Sequence, residues 1–384
     1  MQIAERYDFD LFIDGLNIFE TPGVVLVQAD IFESIANPIP TCQIDINVPL
    51  FWLDNRTLAD GARIKFSIKF LEMQSKMKSE YYFRIFNIKR INIEQNFAHI
   101  LIEGLADFYE GYQEGNTFNS YALTSDIFKR IATTYGLKSD IDPTNDCQLW
   151  VAGENTTYQF MQYMAEYAWK NELSSYFWCL DRERRLLFKN WTTLFRNRQN
   201  NIFTFIQTPN ALVDKMYYGY TKAYASIQSG TNNLYNRGYG GIDYQFDLLS
   251  YSTNEIVAKK VIAESQVINI NKALSRGLGN EWYPFDVGNF HPNFSKARMQ
   301  NKRIMSTYST YLRLESQFFQ PYRLAQIVNF EYLDAQDPNN KVKSMSGIYI
   351  IDAIHVTFST ANVTAALELV MQGLNGKVIT EEVY

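Results

Sequence analysis

Alternation of apolar and polar residues dominates the first hundred positions. Cys42-Gln43-Ile44-Asp45-Ile46-Asn47-Val48 and Ile64-Lys65-Phe66-Ser67-Ile68-Lys69-Phe70 put every second side chain on one face, the period of a half-buried strand. Leu11–Phe19 and Val24–Phe32 are apolar runs divided by Thr21-Pro22-Gly23, a turn signal. Asp54-Asn55-Arg56 and Asp60-Gly61 supply further turns. Phe83–Ile91 and Ala98–Leu105 complete about six strands, at the spacing of a sandwich or barrel. The pattern predicts a small antiparallel β-barrel over residues 1–111.

The period then changes. A polar, glycine-bearing segment (Glu110–Asn119) marks a boundary, and Thr124 or Ser125 can cap a helix running to Tyr135. Ile127, Ile131 and Tyr135 share its apolar face, and Gly136 stops it. With Thr124 as the cap, Leu123 and Phe128 stand at the positions of a hydrophobic staple. Thr156 and Gln159 have the spacing of a capping box, followed by Phe160, Met164 and Ala168 at helical spacing, widened by Met161 and Ala165. After Ser174-Ser175 come the aromatic run Tyr176-Phe177-Trp178-Cys179-Leu180, the charged cluster Asp181–Arg185 and the return Leu186-Leu187-Phe188. This is a helix followed by a hairpin. Its aromatics are expected in the core, and its charged tip is expected to be a solvated turn available to neighbours. Residues 112–200 thus form an α/β module.

Strand signals resume at Lys215–Tyr220. Residues 226–244, rich in Gly, Asn and Ser, indicate a long loop. Asn254–Ile270 and Lys296–Gln317 follow, the second patterned as a long polar helix carrying Met299, Ile304 and Met305. Ala325–Tyr332, a polar loop at Asp334–Lys343, Gly347–Phe358 and Val363–Met371 restore strand character. The simplest organisation is a second barrel, residues 201–235 and 308–375, interrupted by an insertion over 236–307 that packs on the α/β module. Residues 376–384 form a C-terminal tail. The two ends share barrel character without a sequence repeat.

Composition narrows the functional classes. At 384 residues the chain should form two or three domains. With 27 Phe and 26 Tyr it leans toward β structure and toward large protein–protein contacts. A net charge of -5 argues against gripping nucleic acid by its phosphates, yet suits a wall past which a polyanion slides. Cys42, Cys147 and Cys179 make neither a disulfide framework nor a metal pattern, and each is expected to be a small buried apolar residue. The amino terminus has no basic start with an apolar run, and no stretch approaches the ~20 apolar residues of a membrane span. A soluble protein made in a cytoplasm is expected.

His99, His291 and His355 are far apart and stand in no zinc-binding frame; His99 and His355 are expected to be packed or hydrogen-bonded within strands. Neither a Gly-x-Ser-x-Gly elbow nor a phosphate-cradling loop is present, and Gly238–Gly241 lacks the strand-before, helix-after context. Carboxylate pairs of the glycosidase kind need only meet in space. No catalytic, cofactor-binding or metal-ligating residue is assigned.

The order of parts resembles the tail-hub family: baseplate hub proteins of contractile-tailed phages, the late control protein D group, and the hub portion of type VI secretion spike proteins. The residues that carry the resemblance are Thr157, Phe160, Met161, Met164 and Ala165 on the helix, with Tyr176–Trp178 and Leu186–Phe188 on the hairpin. At the far end Gly347–His355, Val363-Thr364 and Leu367–Leu369 are similar to the last two barrel strands of such hubs. The resemblance implies a mainly β chain of two barrels plus an α+β module, assembling as a homotrimer whose barrels make a pseudo-sixfold ring. It implies a non-enzymatic structural role in the virion tail baseplate, adapting a sixfold tail tube to a threefold central spike. Tube and spike proteins are the implied partners, with baseplate wedge proteins as further contacts. DNA would pass through the channel without specific binding, and this chain would neither insert in a membrane nor carry a cofactor. A tail-associated cell-wall hydrolase and a carbohydrate-binding tail component are the alternatives.

Overall fold

The computed structural model describes residues 2–3, 7–55, 58–70, 78–94, 96–112, 118–196, 202–207, 217–227, 242–247, 252–257, 281–285, 322–332, 346–359 and 362–371, with 291–317 in part. The longer strands of the first segment are β1 (Tyr7–Ile13), β2 (Val25–Ser34), β3 (Thr41–Pro49), β4 (Arg63–Phe70), β5 (Lys78–Glu94) and β6 (Phe97–Ala106). They pair antiparallel in the order β1-β4-β5-β6-β3-β2. The period-two pattern decides which face turns inward: Phe9, Leu11, Ile44, Ile46, Ile64, Phe66, Ile68, Phe83, Ile100 and Ile102 are fully buried. Each such side chain contributes at most about 1.5–3 kcal/mol by leaving water.

Turns refine the pattern. The Leu11–Phe19 run is not one strand. Asp14 and Gly15 take left-handed φ of 48° and 80° and fold Leu16–Asn17 back on β1, before a single 3-10 turn at Ile18–Glu20. Gly23 has φ 85°, and a Cβ there would meet Cγ of Pro49 at 2.9 Å, so both backbone and space require glycine. Asp54 and Asn55 belong to a short helix, α1 (Leu50–Asn55), rather than to an open turn, because the helical turn carries Trp52 into the core.

The middle segment contains α2 (Thr124–Thr134), β7 (Lys138–Ile141), α3 (Thr157–Tyr167), β8 (Tyr176–Leu180) and β9 (Arg185–Asn190). β9 pairs antiparallel with β8 and parallel with β7. The capping box of α3 is formed: Oγ1 of Thr156 accepts from the Gln159 amide (3.2 Å), and Oε1 of Gln159 accepts from the Thr156 amide (3.0 Å). Phe160, Met161, Met164 and Ala165 are buried, as are Tyr176, Phe177 and Trp178. Phe188 stacks between Phe128 (4.1 Å) and Tyr176 (4.8 Å), joining α2 to the hairpin. Gly136, at φ 61°, ends α2 with the Leu137 amide bonded back to the Ala132 carbonyl (2.8 Å), a Schellman closure.

The last segment contains β10 (Phe203–Gln207), β11 (Tyr217–Tyr220), β12 (Lys222–Ile227), β13 (Thr310–Ser316), β14 (Ile327–Phe330), β15 (Gly347–Ser359) and β16 (Val363–Met371). β15 is the pivot. One of its edges pairs with β14 through Gly347–Ile350 and with β2 through Ala353–Ser359, while its other edge pairs with β16. Strands from both ends of the chain therefore share one sheet, and Phe9 stacks on Phe358 (5.0 Å) across that junction. The register shifts between Ile351 and Ala353, leaving Asp352 as the extra residue of a bulge.

Pairings of the last segment form a circuit. β14 pairs with β10 and β10 with β11; beyond Thr221 the same stretch continues as β12, which pairs with β13, then β16, then β15, which returns to β14. β10 lies parallel to both its neighbours, a departure from the all-antiparallel expectation.

Residues 296–298 and 300–301 are helical, but Thr310–Ser316 is a strand, which corrects the far end of the long helix expected over Lys296–Gln317. Thr310, Leu312, Leu314 and Ser316 face inward at period two. Ile242–Asp247, Ser252–Val257 and Glu281–Phe285 form a separate small sheet, so the expected 226–244 loop has strand at both ends. Its centre (228–241), most of Asn254–Ile270, the Asp334–Lys343 loop, positions 299, 304 and 305, and the 376–384 tail lie outside the described residues.

Candidate functional site

The β8–β9 hairpin drives its charged tip into the protein. The Leu180 amide donates to the Pro38 carbonyl (2.8 Å), and the Arg182 amide donates to Oε1 of Glu33 (2.7 Å). The Arg182 guanidinium pairs with the other oxygen of Glu33, donates to the Tyr322 carbonyl (2.5 Å) and lies 5.1 Å from the Tyr81 ring. One side chain thus ties the middle module to β2, to β5 and to the approach to β14. Asp181 folds the tip by accepting from the amides of Glu183 and Arg185 (both 2.9 Å), with Arg184 at φ 59°.

Glu33 is 1% exposed, Arg182 5% and Asp181 6%, which corrects the expectation of a solvated tip open to neighbours. A buried guanidinium must be paired, and Glu33 supplies that partner from a strand position where alternation would put an apolar residue. Burial pushes the Glu33 carboxyl up, with Arg182 opposing. Burial works to lower Arg182, but the Glu33 carboxylate and Tyr81 outweigh it and hold the guanidinium above its ordinary value.

Two helix ends of the module are finished by distant side chains. The N-cap of α2 is Leu123, with no side-chain cap of its own, so neither Thr124 nor Ser125 is the cap and the staple register does not apply. Buried Asp146 takes over the cap, accepting from the Thr124 amide (3.0 Å), its hydroxyl (2.7 Å) and the Trp169 amide (2.9 Å), while Thr144 accepts from the Ser125 amide (3.1 Å). At the C-terminal end of α3, Nδ2 of Asn301 donates to the carbonyls of Ala165 and Glu166 (both 3.1 Å), and its Oδ1 accepts from the Tyr176 amide (3.1 Å). His291 packs beside it: its Nδ1 accepts from Asn293 (3.1 Å), and burial lowers its pKa, which leaves Nε2–H to face the Tyr167 carbonyl (3.4 Å). His291, Phe294, Arg298, Gln300 and Asn301 therefore dock on the α/β module.

A cavity of about 440 Å³ opens where the module meets the sheet. Its walls are aromatic: Tyr176, Phe177, Trp178, Trp191, Tyr308 and Tyr311. The Glu166–Arg298 pair (3.8 Å) stands at its polar side, and Asp352, displaced by the β15 bulge, lines it as well. Burial, aided by the nearby Glu368, raises the Asp352 carboxyl to about 6. Among the described residues no Lys or Arg pairs with Asp352.

Of the remaining histidines, His99 bonds to Asp45 and His355 to Asp30 (3.0 Å). Burial alone would raise Asp30, but hydrogen bonds from His355, Thr357 and Gln28 hold it below its usual range. Cys42 and Cys179 are buried. Cys147 is exposed, against expectation, because its neighbours Asp146 and Gln148 both turn inward and the extended backbone sends it out. Among the described residues no group of three or more His, Cys, Asp and Glu is placed to hold a metal, and no helix is long and apolar enough to cross a membrane. Phe51 (53%) in α1, Ile93 (64%) near the end of β5 and Phe97 (49%) at the start of β6 are exposed at one rim of the sheet, with Val25 and Phe86 also exposed.

No family model matches the chain, and no curated protein matches it in sequence. Solved structures place its fold among tail proteins. A tail protein from Neisseria meningitidis matches with a TM-score of 0.57 at 8% identity, over 96% of this chain and 97% of that one. The 43 kDa tail protein of prophage MuSo2 from Shewanella oneidensis also matches at 0.57, with 9% identity, over 94% and 98%. A chain of the half-lidded PdpA–VgrG complex of Francisella matches at 0.51 with 9% identity, covering all of this chain and 60% of that one. At such identities the likeness is one of fold: this chain is mostly β, with the architecture of phage and prophage tail proteins.

Proposed function

We propose that the chain is a structural baseplate hub of a phage or phage-like tail. Three copies would form a ring of six barrels, two from each chain, that adapts a sixfold tube to a threefold spike and lines the channel for DNA. The observation that carries this reading is agreement in fold, over nearly the whole of both chains, with two solved tail proteins. The closed pairing circuit of β10–β16 and the six-stranded β1–β6 set support the reading of one barrel from each end of the chain. β15 and the Glu33–Arg182 pair hold the two units at a fixed spacing, which a ring of quasi-equivalent units requires. The exposed apolar residues at the rim of β3, β5 and β6 offer area for contacts between chains. The net charge of -5 suits a lumen that does not retain a polyanion.

Imaging the chain inside its particle tests this. Density for three copies between the tube and the spike is expected; a location on a side fibre or wholly outside the tail axis would refute it. Peptidoglycan zymography addresses the hydrolase alternative. No clearing by the pure chain is expected, and clearing that disappears in Asp352→Asn would make this an enzyme.

A further inference from the structure

We propose that the cavity between the α/β module and the sheet is a binding site for an organic cation, an ammonium or guanidinium group on an apolar stem, with Asp352 as its counter-ion. The proposal does not depend on the tail reading.

Three features converge. Six aromatic residues, Tyr176, Phe177, Trp178, Trp191, Tyr308 and Tyr311, line the walls, and the negative face of an aromatic ring attracts a cation. The volume, about 440 Å³, falls within the range of small-ligand cavities and would enclose a stem of several carbons. Within this apolar lining sits a carboxyl that no Lys or Arg neutralises among the described residues, held there by a bulge that departs from the ladder on either side. Of the other charged or titratable groups around it, the one cation in the described lining, Arg298, pairs with Glu166 rather than with Asp352. Glu368 and Tyr311 are acids, and the Cys179 thiol is buried and its pKa is pushed up. A half-buried carboxyl beside another acid and without a paired cation lowers stability, so its placement among aromatic residues fits a partner of opposite charge.

Such a cation could be a free amine or a side chain on another polypeptide, and two probes distinguish them: n-butylammonium and an N-acetylated, amidated Gly-Lys-Gly peptide. Fluorine NMR of the full-length chain labelled with fluorotryptophan provides the readout, since Trp178 and Trp191 are two of its six tryptophans. Saturable movement of those two signals with n-butylammonium is expected, weakened about tenfold or more in Asp352→Asn and with neutral butanol. Affinity should fall as pH drops from 8 to 5 while Asp352 takes up its proton. Binding of the peptide as well would identify a lysine-bearing partner as the source; binding of the amine alone would identify a small molecule. Unmoved signals, equal binding of butanol by the native chain, or unchanged affinity in Asp352→Asn would overturn the proposal.

Discussion

Arg182, at the tip of the β8–β9 hairpin, pairs with Glu33 on β2, 149 positions earlier, and both side chains are buried. The pair sets where the helical module sits on the sheet. Removing one partner of a buried pair leaves the other charge stranded in a low-polarity site. Arg182→Met is therefore expected to cost about 3–5 kcal/mol in urea unfolding at pH 7. Adding Glu33→Gln should return at least about 1–2 kcal/mol, because the stranded carboxylate is gone. Purely additive losses would show that the two residues act independently.

Asp352 gives a pH signature. Its folded-state value of about 6 lies above the ordinary 3.8, so the protonated form is favoured by folding. Its contribution to stability is complete below pH 3.8 and is lost as pH rises through 6. Asp352→Asn should then unfold later than the native chain at pH 8, by about 1–3 kcal/mol, with the two curves merging below pH 4. A destabilised Asp352→Asn chain at pH 8 would contradict the assignment.

Gly104 on β6 is closely approached by β3, β4 and β5. A Cβ there would lie 2.6 Å from Sγ of Cys42, 3.0 Å from Cδ1 of Ile64 and 3.2 Å from the Arg84 carbonyl oxygen. Gly104→Ala is expected to lower stability by about 1–3 kcal/mol by overpacking. Cys42→Ala in the same chain should recover part of that loss, since it removes the nearest atom, and thermal unfolding of the two variants checks the order.

Local features were legible in the sequence because both partners of each lie within one turn or one strand. Thr156 and Gln159 stand three apart, Gly136 follows the last apolar position of α2, and Ile44/Ile46 or Ile64/Phe66 alternate over their whole strands. The junction was illegible for the opposite reason. Asp181–Arg185 has the composition of a solvated turn, and its partner lies on a strand far upstream. One signal was present: Glu33 follows Ala29 and Ile31 at the inward period of β2, an acid where an apolar residue belongs. Likewise Thr310, Leu312 and Leu314 carry a strand period that the polar residues before them obscured. The cap of α2 was out of reach, since Asp146 arrives from across the fold rather than from the preceding residue.

Native mass spectrometry of the purified chain, alone and mixed with the tube and spike proteins of its particle, tests whether it assembles as a hub. The account predicts a species of three times the 44.7 kDa chain, retained when spike protein binds. A chain that stays at 44.7 kDa under every one of these conditions would contradict it.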